Sequence, residues 1–164
     1  GSWELIRDAR DGSWPRWSAE GSSSGVYFRP HVVWNEKTRL YVLWVNGDGA
    51  PQCPAGTTRS CWLVGTSPSP EGPFAFRGAR RGRFADPGDF DILVDDDGAG
   101  YIMYDATTQG VRMSAERLAD DFLSSLAGDP PFDGGVGPTN TSTGFFGHDF
   151  VEAPAFFKRR GVYY

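Results

Sequence analysis

The sequence predicts an all-β fold built from short antiparallel hairpins, and three observations carry that prediction. Turn formers are dense: 22 Gly and 12 Pro among 164 residues punctuate apolar runs of strand length. Aromatic residues make up 15% of the chain and cluster in those runs beside β-branched residues, the mix that suits a half-buried pleated surface. Finally, one pattern occurs three times, in RPHVVWNEKTRLYVLWV (29–45), DFDILVDDDGAGYIMYD (89–105) and EAPAFFKRRGVYY (152–164). Each begins on a polar residue, runs through apolar positions into a charged turn, and returns through a Tyr-bearing strand.

Residues 1–25 are polar and turn-rich, with Trp3, Trp14 and Trp17 scattered through them, and read as a loop-rich lead-in. His31–Trp34 and Leu40–Val45 are the strands of the first hairpin, turning at Asn35–Thr38. Cys61–Thr66 and Phe74–Gly78 are two further strands. SPSPEGP between them is a turn, because Pro cannot donate to a central ladder. In the second hairpin Phe90, Ile92 and Val94 alternate with Asp89, Asp91 and Leu93 at period 2. Asp97-Gly98 is its expected two-residue turn, with positive φ angles. The return, Tyr101–Tyr104, is apolar on both faces and is expected to be covered on both sides. Val111–Ala115 is a short strand. Leu118, Phe122, Leu123 and Leu126 are spaced for a short surface helix or turn over Ala115–Leu126, and Ala127–Gly144 reads as loop. The third hairpin turns at Arg160-Gly161.

Arg29, Asp89 and Glu152 open the three repeats, 60 and 63 residues apart. A repeat of that length holding about four strands is the signature of a propeller blade. Polar residues that open successive innermost strands then converge on one channel face, which brings Asp89 and Glu152 together.

The formal net charge of −5 argues against nucleic acid or an anionic membrane surface as partner. No apolar run approaches the roughly 20 residues of a membrane span. The opening GSWELIRDARDG lacks a signal-peptide core. Cys53 and Cys61 flank CPAGTTRSC at a spacing unlike the Cys-x-x-Cys pairs of zinc sites; a loop-closing disulfide and two free thiols both fit. Asn140-Thr141-Ser142 is a glycosylation sequon, which favours secretion slightly. Asp95, Asp96 and Asp97 lack the spaced ligands and distal Glu of a calcium loop and read as a solvated turn. No phosphate loop, nucleotide motif or Ser/His/Asp order is present, so no cofactor and no metal is expected.

The stretches at 29–45, 64–74 (VGTSPSPEGPF), 88–105 and 152–164 resemble, in order and spacing, glycoside hydrolase family 43. The wording of RPHV and EAPAFF is most similar to its β-1,3-galactan-acting branch. The resemblance implies a five-bladed β-propeller of which two to three blades are present, within a single incomplete catalytic domain over residues 1–164. It also implies an inverting glycosidase acting on plant-type galactan, arabinan or xylan, secreted and monomeric, with a poly- or oligosaccharide as partner. Carried over by position, Glu152 matches the general acid at the head of the Glu-Ala-Pro motif. Asp89 matches the aspartate that orients the acid and tunes its pKa. The family's base is a first-blade aspartate and has no counterpart here; Asp86-Pro87 and Asp129-Pro130 share its dipeptide but stand in other repeats. A propeller that kept the sugar groove and lost catalysis is the competing reading.

Read from the residues alone, Asp89 and Glu152 fit strand caps that accept backbone amides better than a catalytic pair, and the resemblance reverses that preference. Arg29, His31, Asp91 and His148 are the candidates for substrate binding. Arg29 suits a sugar hydroxyl or an ion pair with an acid. His31 suits a packed, hydrogen-bonded core position as well as the channel, and Asp91 a structural hydrogen bond. His148, beside Asp149, suits a pocket wall or an exposed loop. Trp34, Trp44, Tyr101 and Tyr104 suit blade-to-blade packing more than sugar stacking.

Overall fold

A computed structural model describes residues 26–50, 52–53, 60–82, 87–106, 113–127, 141–143 and 152–164. These residues are all-β, their strands antiparallel, with no helix among them. The first sheet runs in the order β1 (Val26–Asn35), β2 (Leu40–Asp48), β3 (Ser60–Ser67), β4 (Ala75–Arg80). The second runs β5 (Pro87–Val94), β6 (Gly100–Ala106), β7 (Met113–Arg117), β8 (Thr141–Thr143). A small hairpin, β9 (Lys158–Arg159) and β10 (Val162–Tyr163), follows.

Both sheets are meanders, in which each strand pairs with the next along the chain. β2 is flanked on both edges and apolar from Leu40 to Val45, and Val42–Val45 are buried on both faces. Its alternate residues feed two cores. Leu43 and Val45 pack with Leu63, Cys61 and Phe74 on one side. Val42 and Trp44 pack on the other with Trp62 and Val64 of β3, and with Phe90, Ile92, Ile102 and Tyr104 of the second sheet. The second cluster is the seam between the sheets. Trp62 is its centre, with ring centroids 5.8 Å from Trp44, 5.5 Å from Phe90 and 4.9 Å from Tyr104, all edge-on. Edge-to-face contacts of this kind add about 0.5–1.5 kcal/mol each beyond buried area. Trp44 and Tyr104 are thus seam residues, while Trp34 packs on Tyr41 with their rings 4.9 Å apart. β6 is buried through Ile102 and Tyr104 but only half-covered through Tyr101 and Met103, less than its sequence predicts.

Polar side chains also cross the seam, each finding a backbone carbonyl. Trp44 Nε1 donates to Phe122 O (2.8 Å), Asn35 Nδ2 to Asp120 O (2.9 Å) and Arg80 Nε to Leu123 O (2.8 Å). Of the helix or turn expected over 115–126, these bonds select the turn. Leu118 N–H donates to Gly100 O and Leu126 N–H to Arg117 O, so β7 and the chain after Phe122 continue the ladder. Phe122 sits at φ 61°, outside the α region, with its ring buried and its carbonyl committed to Trp44. Tertiary packing of Leu118 and Phe122 overrides their helical spacing.

Two further expectations are corrected. The turn of the second hairpin has three residues rather than two: Gly98 N–H donates to Asp95 O, Asp95 N–H donates to Ala99 O, and only Gly98 has positive φ (80°). That is a type I turn closed by a left-handed glycine. Within the predicted loop 127–144, Thr141–Thr143 forms β8 and pairs with Ser114–Glu116 of β7. The turn at Arg160-Gly161 is as the sequence indicates, both residues having positive φ (52° and 77°).

The β9–β10 hairpin is pinned to the β5–β6 turn through Asp95. Lys158 Nζ lies 2.5 Å from Asp95 Oδ1 and 3.0 Å from Asp96 Oδ2, and Tyr163 OH donates to Asp95 Oδ2. The bonds from Lys158 and then Tyr163 hold the Asp95 carboxyl down at about 2. The three-aspartate turn is therefore a docking point for the last hairpin rather than only a solvated tip.

Cys53 and Cys61 are bridged, with Cα atoms 5.7 Å apart, and the bond ties the chain after β2 to the start of β3. Closing a loop of this length restricts the unfolded chain. Replacing both cysteines by serine is expected to lower the unfolding free energy by about 2–3 kcal/mol in chemical denaturation. An unchanged denaturation midpoint would mean that the loop gains nothing from closure.

Candidate active site

The three repeat openings meet. β1 and β5 each carry a bulge there, with register shifts between Phe28 and His31 and between Pro87 and Phe90. Arg29 at the first bulge has φ 51°, and Ala153, beside the third opening, has φ 50°. Non-glycine residues rarely hold such angles unless the surroundings over-determine them. Here those surroundings are an internal clasp. Arg29 Nε donates to Phe90 O (3.2 Å) and its Nη2 to Pro154 O (2.5 Å), so one guanidinium joins all three openings. Asp91 does the same with opposite charge: Oδ2 accepts Phe156 N–H (2.7 Å), and Oδ1 lies 3.2 Å from His31 Nδ1. The His31 ring also packs on Phe90, 5.1 Å away. Burial foremost, and the nearby Arg29 charge, lower the His31 pKa against the pull of Asp91.

Beside this clasp lies a pocket of about 290 Å³, lined by Phe28, Asn46, Asp48, Gly88, Asp89, Asp105 and Glu152. Asp89 and Glu152 therefore face one space although 63 positions separate them. Glu152 is exposed to it from the segment before β9. Arg29, His31 and Asp91 do not line this pocket, and His148 lies outside the described residues.

The sequence reading did not single out Asp105, Asn46, Asp48 or Phe28. Asp105 is only 5% exposed. It stands near the end of β6, across the bulged ladder from Asp89, whose backbone N–H bonds its carboxyl. Burial foremost, then the charges of Asp89 and Glu152, push its pKa up to about 6. Its Oδ1 has no hydrogen-bond partner, nor has Oδ1 of Asn46, itself 5% exposed. Asn46 Nδ2 donates to Gly88 O (2.9 Å), so the amide is oriented with its free oxygen beside the pocket. Phe28 stands opposite Asn46 in the β1–β2 register and leaves its ring 46% exposed. One signal was available: Asp89 and Asp105 close the two ends of one hairpin, so a carboxylate at one predicts a neighbour at the other. The pocket thus combines four carboxyls, two unsatisfied acceptors and an open aromatic ring. That set suits a ligand rich in hydroxyl donors with an apolar face. Among the described residues, no group of three or more His, Cys, Asp or Glu is arranged to hold a metal ion, and no helix is long and apolar enough to cross a membrane.

Gly88 carries the geometry. A Cβ built on it would lie 1.9 Å from Asp105 Oδ1 and 2.6 Å from Cγ, so only glycine lets β5 pass this close to the buried carboxyl. Gly88→Ala is expected to displace Asp105 and to destabilise the fold by about 1–3 kcal/mol, the usual cost of overpacking. Thermal melts check the second effect and a structure of the variant the first; an unmoved Asp105 and an unchanged melt would contradict the close-packing account.

No protein-family model matches this chain, and no curated protein does. Solved structures do match. The exo-β-1,3-galactanase of Phanerochaete chrysosporium, crystallised with galactose, is 26% identical at a TM-score of 0.62, over 87% of this chain and 29% of the galactanase chain. A family 43 β-1,3-galactosidase with galactodeoxynojirimycin is 23% identical at 0.62, over 89% and 51%. An endo-1,4-β-xylanase of Bacteroides thetaiotaomicron is 21% identical at 0.53, over 84% and 43%. The chain spans less than a third of the galactanase and about half of the galactosidase. All three are glycoside hydrolases, and with the geometry above they show that this chain has a glycoside hydrolase family 43-like fold.

Proposed function

We propose that the chain is part of the catalytic domain of a secreted glycoside hydrolase that cleaves O-glycosidic bonds in plant-type polysaccharide, with β-1,3-galactan as the leading substrate. In this reading residues 1–164 are a portion of one five-bladed β-propeller, and the two four-stranded sheets are consecutive blades. The convergence of Asp89 and Glu152 on one pocket, from equivalent openings of two repeats, carries the proposal. The neighbours support the substrate class: structures of the fungal galactanase include one with galactose and, for a variant in which a glutamate is replaced, one with β-1,3-galactotriose. The disulfide supports an oxidising location outside the cell.

Inverting hydrolysis needs a protonated acid at the leaving oxygen and a base that activates water on the opposite face, roughly 6.5–9.5 Å from it. Glu152, exposed at the rim, is the proton donor. Asp89, which faces the same pocket, orients it. The open Phe28 ring packs on the apolar face of the sugar, and Asn46 Oδ1 accepts a sugar hydroxyl. Arg29, His31 and Asp91 serve the substrate indirectly by holding the three openings together. The base comes from outside the described residues.

Glu152→Gln in the full-length protein is expected to reduce kcat on a β-1,3-galacto-oligosaccharide by about 10²–10⁴-fold. The loss on an activated aryl galactoside should be smaller, because that leaving group needs little protonation. Unchanged hydrolysis of the oligosaccharide would overturn the assignment of Glu152. A wild-type protein that binds the oligosaccharide in calorimetry without cleaving it would instead make this a sugar-binding propeller.

A further inference from the structure

The pocket holds two carboxyls beyond an acid and its modulator, Asp48 and Asp105, and of these Asp105 is the buried one. Asp105 is nine-tenths buried, its Oδ1 has no hydrogen-bond partner, and Gly88 in the β5 bulge makes room for it by lacking a side chain. Burying a carboxyl with an unsatisfied oxygen is unfavourable. The residues paired at this level are Ala106 with Pro87 and Asp105 with Met113, and neither pair holds a cation. The charged groups lining the pocket with it are Asp48 from β2, Asp89 from β5 and Glu152 from the segment before β9; no Lys or Arg among the described residues lines it. Arg29, the guanidinium of the clasp, is committed to the carbonyls of Phe90 and Pro154. Asp105 therefore interacts electrostatically with the two carboxyls that the glycosidase reading uses, and no cation among the described residues lines the pocket with it.

We propose that Asp105 is a positioning residue of this site, a third and buried carboxyl that acts through Asp89 and Glu152 to keep the proton donor loaded near neutral pH. The inference rests on the glycosidase reading for its purpose, but its physical content is a coupling among three carboxyls. Asp105 is neutral in mildly acid solution and ionises as the pH rises toward neutrality, because burial and its two neighbours lift its titration to about 6. Once ionised, it adds a second negative charge beside the donor, alongside Asp89. A like charge nearby makes loss of the donor's proton to water harder. Asp105 has a second task, since its carboxyl accepts the backbone N–H of Asp89 and so holds the bulge that aims the Asp89 side chain.

Coupling is reciprocal, which gives a test that does not depend on activity. Carboxyl-carbon NMR of the full-length protein should follow Asp105 titrating well above an ordinary aspartate. In Glu152→Gln its midpoint should fall by roughly 0.5–1 pH unit, because one of the charges that raise it is gone. A midpoint that stays where it was would overturn the inference, whatever the protein hydrolyses. The kinetic arm uses Asp105→Asn, with Asp105→Ser as a second variant should the first fold poorly. The alkaline limb of kcat/KM against pH should move down by roughly one pH unit while the acid limb stays in place. A uniform loss at every pH with both limbs fixed is the mark of a merely structural residue and would also overturn it. If the full-length protein cleaves no glycoside while the Asp105 midpoint still falls in Glu152→Gln, the glycosidase reading fails and the coupling stands. Stability gives a third readout. Asp105 titrates higher when folded than when unfolded, so its contribution is greatest in acid and is lost as the pH rises from about 4 through about 6. The Tm of Asp105→Asn relative to wild type should therefore climb across that interval and level off above it.

Discussion

The structure depends on the point where the two sheets touch, at the carbonyl of Gly88. That oxygen accepts Asn46 Nδ2 from β2 at 2.9 Å and Trp62 Nε1 from β3 at 3.4 Å, so both donors of the first sheet converge on one backbone atom of the second. Trp62 is also the residue around which Trp44, Phe90 and Tyr104 are arranged. Hydrophobic burial sets how strongly the sheets adhere, while the two directional bonds set their register. Asp89 follows Gly88 immediately, so whatever fixes the seam also fixes the first carboxyl of the pocket. On the other side of Gly88 the absent side chain admits Asp105. The apolar seam and the acidic pocket are thus two faces of one close approach of β5.

Around that contact the molecule keeps charge in separate compartments. The clasp of Arg29, His31 and Asp91 is internally balanced, a cation and a carboxylate each bonded to the neighbouring openings. The charged groups on the pocket wall, among the described residues, are all carboxyls. The two zones have opposite pH behaviour. His31 titrates lower in the fold than in the unfolded chain, so its contribution to stability is present above its unfolded pKa and is lost as the pH falls. Asp105 titrates higher, so its contribution is lost as the pH rises through about 6. Positive φ at Arg29 and Ala153 marks where the backbone bends to bring the two zones side by side. Such strained positions persist because the clasp holds them, and they lie where the side chains of a site must be aimed.

Much of this was legible in the sequence because it is governed by local chemistry. Period-2 alternation marks β5, continuous apolarity marks β2, and Arg160-Gly161 marks a turn with two positive φ angles, since each follows from the pleat or from backbone sterics within a few residues. The repeat of polar openings placed Asp89 and Glu152 on one face, because strand openings are equivalent in a fold built of similar hairpins. What the sequence could not decide are the features set by partners far along the chain. Leu118 and Phe122 have helical spacing, yet the indole of Trp44, 78 positions before Phe122, claims a carbonyl that only a left-handed turn can offer. Thr141–Thr143 has the composition of a loop and becomes a strand because the edge of β7 is open to it. Asp105 looks like the polar end of an ordinary return strand. Its burial, its unpaired oxygen and its two acidic neighbours arise only when β5 and β6 close at Gly88 and the Glu152 segment folds over them, since electrostatics and solvation depend on distance in space rather than on separation in sequence.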